Sequence, residues 1–100
     1  MKKEFDITTE DIKNGLRDTR SCPISLAINR KYEKAQVSTR MISFDVNEAV
    51  AGDLRVRFIP NEQLKKWIAK YDAKIEQVER IKVSLDFDTA IASIVQEADK

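Results

Sequence analysis

Residues 6–32 read DITTEDIKNGLRDTRSCPISLAINRKY, and the way this stretch folds decides what the remainder of the chain can do. Thr8 followed three positions later by Asp11 is a variant capping box. The hydroxyl can accept from the Asp11 amide while the carboxylate reaches back to the Thr8 amide. Ile7 before the cap and Ile12 at the fourth helical position are spaced as a hydrophobic staple. Glu10 and Asp11 put negative charge where the helix dipole favours it. Asn14-Gly15 then supplies a stop, with glycine expected in the left-handed conformation. A helix of roughly two turns results, too short to stand alone in water.

Ser21-Cys22-Pro23 restarts the helix, and proline is tolerated in a first turn because the N–H it lacks would have no helical acceptor. Ile24, Leu26, Ala27 and Ile28 cover more than half of the circumference, which predicts a largely buried helix that turns polar only at Asn29, Arg30 and Lys31. We read it as a strut against which a sheet packs.

Outward from this stretch, Lys2 to Glu4 form a charged lead-in, with Phe5 docking on the core or opening a short strand. Glu33-Lys34 is read as a polar exit. Residues 36–46, QVSTRMISFDV, are rich in β-branched residues and predict strand. The alternation slips at Arg40-Met41, so a bulge or two short strands are expected. Residues 47–53 contain Gly52 and read as a hairpin loop. Leu54, Val56 and Phe58 then alternate with Arg55 and Arg57 as in a half-buried strand. Pro60-Asn61-Glu62 opens a helix whose Leu64, Trp67, Ile68, Tyr71 and Ile75 share one stripe, with its end placed near Ala73. Ile81, Val83, Leu85 and Phe87 alternate with Lys82, Ser84 and Asp86 as a strand. Asp88 or Thr89 is then expected to cap a final helix with Ala90, Ile91, Ile94, Val95 and Ala98 inward. The predicted class is α+β: a small, mainly antiparallel three- to four-stranded sheet with helices packed on one face.

At 100 residues with 42% hydrophobic content, residues 1–100 are expected to form one domain around a single modest core. A net charge of +1 exerts no overall pull toward nucleic acid or acidic membranes. No membrane span and no signal peptide are expected. A single cysteine cannot form an internal disulfide, which suits a reducing cytoplasm. The absence of histidine removes Ser-His-Asp and Cys-His nucleophilic pairs, imidazole bases and nearly all zinc sites. Two glycines, Gly15 and Gly52, cannot build a glycine-rich phosphate loop. Carboxylate chemistry survives this filter, but no acidic pair stands at a specific spacing. No catalytic residue, cofactor or metal is therefore expected.

The pattern I-T-x-E-D-I-K-N-G (Ile7, Thr8, Glu10, Asp11, Ile12, Gly15), followed by Cys22-Pro23-Ile24 and Leu26-Ala27-Ile28, resembles a group of small phage- and prophage-encoded proteins. In that group a C-P-[IV]-A-L-A-[LI] helix follows a short glycine-ended one, and a later amphipathic helix is succeeded by a strand. Trp67 to Asp72 and Val78 to Phe87 would fill the later places. Ser25 stands where the group usually has alanine, and its Gly-Glu-Pro break after Asp72 is absent here. The resemblance implies a mobile-element context, in the cytoplasm of a host cell, and no particular mechanism.

Four features invite a functional reading beside an ordinary one. Cys22 at a helix start near Arg20 has the setting of a lowered thiol pKa, but it lacks a base, and free cysteine usually just packs. Arg17, Arg20, Arg30, Lys31, Lys34 and Arg40 are candidates for contacting a partner or phosphates; the ordinary reading is a solvated basic face. A helix-turn-helix reading is weakened by the long 16–21 connection and by an apolar second helix where base edges would have to be met. Lys66, Lys70 and Lys74 form a same-sign ridge, read first as a soluble face, while Trp67 and Tyr71 read as core. Arg55 and Arg57 are expected to face Asp86 and Asp88 across the surface. Together these features predict a non-enzymatic accessory protein acting on an unidentified protein partner, such as a host protein that it inhibits. The alternative is nucleic-acid binding through the basic cluster.

Overall fold

The computed structural model describes residues 2–16, 18–48, 52–73 and 78–95. Element order is β1 (Lys2–Ile7), α1 (Thr9–Asn14), α2 (Pro23–Asn29), β2 (Glu33–Val37), β3 (Ile42–Glu48), β4 (Gly52–Pro60), α3 (Glu62–Ala73), β5 (Ile81–Asp86) and β6 (Ile91–Ile94). The class is α+β, as predicted. The sheet has six strands in the order β1-β5-β6-β4-β3-β2, and it is mixed because β4 and β6 run parallel. This corrects the expected three or four mainly antiparallel strands, through two segments read differently from the sequence.

The first is β1. Lys2, Glu4 and Asp6 alternate with Phe5 and Ile7, and the strand pairs antiparallel with β5 from Lys2↔Asp86 to Ile7↔Ile81. With only two apolar residues on its inner face, the period is too brief to read in isolation. The second is β6, where a helix was expected. Asp86 Oδ1 accepts from the amides of Asp88 (2.9 Å) and Thr89 (3.3 Å), an Asx turn rather than a helix cap. Those bonds, the Asp88 amide first, hold the Asp86 carboxyl below its usual range. Ala90 follows at φ 61° and the chain returns as a strand. There β6 supplies partners to β5 on one side and to β4 on the other, which a helix would have left unpaired. Of the expected inner helix face, Ala98 lies outside the described residues.

Between these strands the reading from sequence is closer. The slip at Arg40-Met41 is a tight turn: Ser38 donates its amide to the Met41 carbonyl, and its Oγ accepts from the amides of Arg40 and Met41. Two strands result. Glu33-Lys34, read as an exit, belongs to β2, and a bulge between Glu33 and Gln36 places Lys34 at φ 57°. β3 and β4 pair as far as Glu48↔Gly52, so the expected 47–53 loop is shorter than the sequence suggested. α3 is described from Glu62 to Ala73, with Asn61 Oδ1 accepting the Leu64 amide at its start, and the residues just beyond its placed end lie outside the described ones. Ile75 of its stripe and Lys74 of its lysine ridge lie outside the described residues.

The capping box forms as predicted: Thr8 donates its amide to Asp11 Oδ2 at 2.9 Å, and Asp11 donates its amide to Thr8 Oγ1 at 3.1 Å. Gly15 differs. Its φ of −73° and ψ of 161° are extended, so no left-handed stop is made. Glycine is needed there for closeness, because a Cβ would lie 2.7 Å from Pro23 Cδ, 2.8 Å from Pro23 N and 2.9 Å from the Asp11 carbonyl oxygen. This position is where the two helices meet.

α2 is the interior strut that its apolar pattern predicts, with Ile24, Ala27 and Ile28 at most 2% exposed. They join Leu64, Trp67 and Ile68 of α3 and the inner residues of the sheet, among them Ile7, Ile42, Phe44, Phe58, Leu85 and Ala92. Rings carry this core across the sheet: Phe5 meets Tyr32, Tyr32 stacks on Phe44, Phe44 on Phe58, and Phe87 stands edge-on to Phe58. α2 touches both β1 and β2, the two outermost strands of the sheet, so the sheet curls around it.

Candidate cationic site beside strand β2

The loop between α1 and α2 is pinned before any of its side chains can act. The Thr19 carbonyl accepts from Ser25 Oγ at 2.6 Å and from the Val37 amide at 2.8 Å. Ser25, fully buried where the resembling group has alanine, thus ties the loop to α2 while Val37 ties it to the outer edge of β2. The Cys22 and Ser21 amides donate to the Asp18 carbonyl, and Asp18 Oδ1 accepts the Arg20 amide at 3.0 Å. Arg20 is presented from a loop fixed at both ends.

Lys34 is presented by the bulge. A non-glycine residue at positive φ costs about 1–2 kcal/mol in this region, and the bulge would leave its carbonyl without a ladder partner. Arg55 meets that carbonyl: Nη2 donates to Lys34 O at 3.1 Å and to Ser43 Oγ at 3.0 Å, and Nη1 pairs with Asp45 at 2.7 Å. Asp45 faces Arg55 directly in the β3–β4 register. This pair replaces the expected pairing of Arg55 with Asp86 or Asp88, which belong to the far hairpin.

Arg20, Lys34 and Arg55, with Asn29, Ala35 and Gln36, line a hollow of about 530 Å³. Asn29 Oδ1 accepts the Ala35 amide at 3.1 Å, closing the floor between α2 and β2. Arg55 is paired with Asp45, so Arg20 and Lys34 carry the positive charge that the hollow presents, and no carboxylate lines it among the described residues. Two of the six basic candidates, Arg20 and Lys34, therefore come together, joined by Arg55, which sequence reasoning missed. Its signal was available: a hairpin turning near residue 50 puts position 45 opposite 55.

Among the described residues the other candidates do not line the hollow. Arg30 lies toward β1, where Nη1 reaches Asp11 Oδ1 at 2.6 Å and Nη2 reaches Asp11 Oδ2 and the Asp6 carbonyl, each at 3.0 Å. Burial pushes the Asp11 carboxyl up, but the Arg30 guanidinium and the Thr8 amide more than offset this and hold it below the usual carboxylate range. Arg30 is thus occupied structurally. Lys31 is exposed just beyond α2, Arg40 is exposed in the β2–β3 turn, and Arg17 lies outside the described residues.

Cys22 caps α2, its Sγ accepting the Ser25 amide at 3.5 Å, and is buried. Among the described residues, no three His, Cys, Asp or Glu side chains gather as a metal site, and no helix is long and apolar enough to cross a membrane. No protein-family model, curated protein or solved structure matches the chain.

Proposed function

We propose that this is a non-enzymatic accessory protein that binds another protein, using the hollow at Arg20, Lys34 and Arg55 as the focus of contact with an acidic surface. The convergence of Arg20 and Lys34, with Arg55 held between Asp45 and the Lys34 carbonyl, supports the reading. Arg20 and Lys34 sit on backbone that the fold holds fixed, so no loop has to be ordered when they meet a partner. Carboxylates suit such a site because guanidinium groups pair with them in a planar, bidentate manner. The hollow is smaller than a whole interface, which needs roughly 800 Å² per partner. Neighbouring β2 and the 38–41 turn would supply the remainder.

A protein is favoured over nucleic acid as the partner. Six phosphate contacts would have made affinity fall by a salt slope of about −5, but Arg30 is committed to Asp11, and of the candidates among the described residues Arg20 and Lys34 line the hollow. The N-terminal resemblance suggests that the protein is phage- or prophage-encoded and works in the host cytoplasm, where inhibition of a host protein is the concrete form we propose.

The test is affinity capture from a bacterial host lysate with the wild-type chain and with an Arg20→Glu/Lys34→Glu variant as parallel baits. A protein with an acidic surface retained by the first and lost by the second supports the proposal. Identical captures, or nucleic acid alone, would refute it.

A further inference from the structure

We infer that the cleft between α3 and the α1–α2 loop is a second site, which takes a guanidinium or alkylammonium head carried on an aliphatic stem. It shares no lining residue with the cationic hollow and does not depend on the function proposed for that hollow.

The cleft holds about 160 Å³, room for roughly five waters at their liquid volume. Among the described residues the charged groups on its wall are both carboxylates, Asp18 from the loop and Asp72 from α3. Trp67 and Tyr71, one helical turn apart, also line it; their rings are parallel within 4°, with centroids 6.1 Å apart. Val37 and Ile68 contribute aliphatic surface. Each part of the ligand follows from one of these walls. A cation is attracted both by a carboxylate and by the negative face of an aromatic ring, whereas an anion would be repelled by Asp18. An aliphatic stem matches the isoleucine, valine and ring surfaces, and a volume this small admits one side-chain-sized group.

The geometry of Asp18 is set in advance. Its Oδ1 is held by the Arg20 amide, which orients the carboxylate without consuming its second oxygen. Trp67 is also anchored, its Nε1 donating to the Glu79 carbonyl at 2.9 Å, so its ring keeps its place when the cleft is empty.

Trp67 is the single tryptophan of the chain and lines the cleft, so its emission reports occupancy directly. The experiment titrates the whole protein with n-butylguanidinium chloride, with Nα-acetylarginine methylamide and with the uncharged isostere n-butylurea. The expected result is a saturable change in Trp67 emission with n-butylguanidinium and none with n-butylurea. Asp18→Asn should raise the midpoint about fivefold, the loss of one partly screened charge-assisted contact; the asparagine still accepts the Arg20 amide, so the fold is kept. Saturation by the acetylarginine amide as well identifies arginine side chains of polypeptides as ligands, while saturation by n-butylguanidinium alone identifies small free cations. Equal responses to the charged and uncharged isosteres, or an Asp18→Asn titration that overlays the wild type, would overturn the inference.

Discussion

Replacing Gly15 with alanine adds one methyl group where the chain has no room for it. The new Cβ would lie 2.7 Å from Pro23 Cδ, 2.8 Å from Pro23 N and 2.9 Å from the Asp11 carbonyl oxygen, against an ordinary carbon contact of about 3.5–4.0 Å. Two of those atoms are backbone and the third belongs to a rigid ring, so none can swing aside. The Asp11 carbonyl also accepts the Gly15 amide at 2.8 Å, so relief by moving α1 away would break the bond that ends that helix. Overpacking of this kind costs about 1–3 kcal/mol or more, while the stiffer unfolded chain returns about 0.4–1 kcal/mol. We expect a net loss of about 0.5–2.5 kcal/mol and, at this chain length, a fall in Tm of roughly 2–20 °C. Urea and thermal unfolding followed through Trp67 fluorescence would measure it. Gly15→Asn separates the two explanations for this glycine: asparagine tolerates left-handed backbone but is bulkier than alanine. If close approach is the cause, Asn must be at least as damaging as Ala. An unchanged or raised midpoint for Gly15→Ala, or a clear rescue by Asn, would refute the reasoning.

Ala90→Gly should stabilise, because it removes a Cβ held at φ 61°; the gain, net of the added unfolded-state entropy, is about 0.5–1 kcal/mol, read as a rise of a few degrees in Tm. Ser25→Ala should cost about 1 kcal/mol, since the Thr19 carbonyl keeps the Val37 amide but loses its shortest bond, and backbone amides of residues 18–22 should exchange faster with solvent. Asp11→Asn removes a carboxylate whose folded pKa is depressed. Its contribution is present above the unfolded value near 3.9 and lost as pH falls through the folded value. Unfolding free energies of wild type and Asp11→Asn from urea titration should accordingly differ most near neutrality, by about 1–2 kcal/mol given the exposure of Arg30, and converge as pH falls through the depressed folded value.

What could be read in advance follows a physical divide. The capping box, the buried face of α2 and the stripe of α3 are local patterns, complete within a few residues, and over the described residues each forms as the sequence predicts. β1 and β6 are decided by partners distant in the chain. A strand with two inward residues, Phe5 and Ile7, is specified mostly by β5, and β6 by the gap between β4 and β5. The Asp86-Phe87-Asp88-Thr89 sequence serves equally as a helix cap or an Asx turn until that gap is known. Gly15 reads from the sequence as a left-handed stop, which it is not, and its close approach to Pro23 cannot be seen without the angle between the helices. The hollow was half legible. Arg20 and Lys34 were named among the candidates, but their convergence depends on a bulge and on Arg55 from another strand, neither of which a linear count of cations can locate.

The most direct test of the account is calorimetric titration of the protein captured by the wild-type bait, against the wild-type chain and the Arg20→Glu/Lys34→Glu variant at about 50 and 200 mM salt. The account predicts that the charge reversal weakens binding at least about a hundredfold at low salt, as expected for two well-placed charge contacts replaced by repulsions, and that the gap narrows at higher salt. Equal affinities for the two chains at low salt would contradict it.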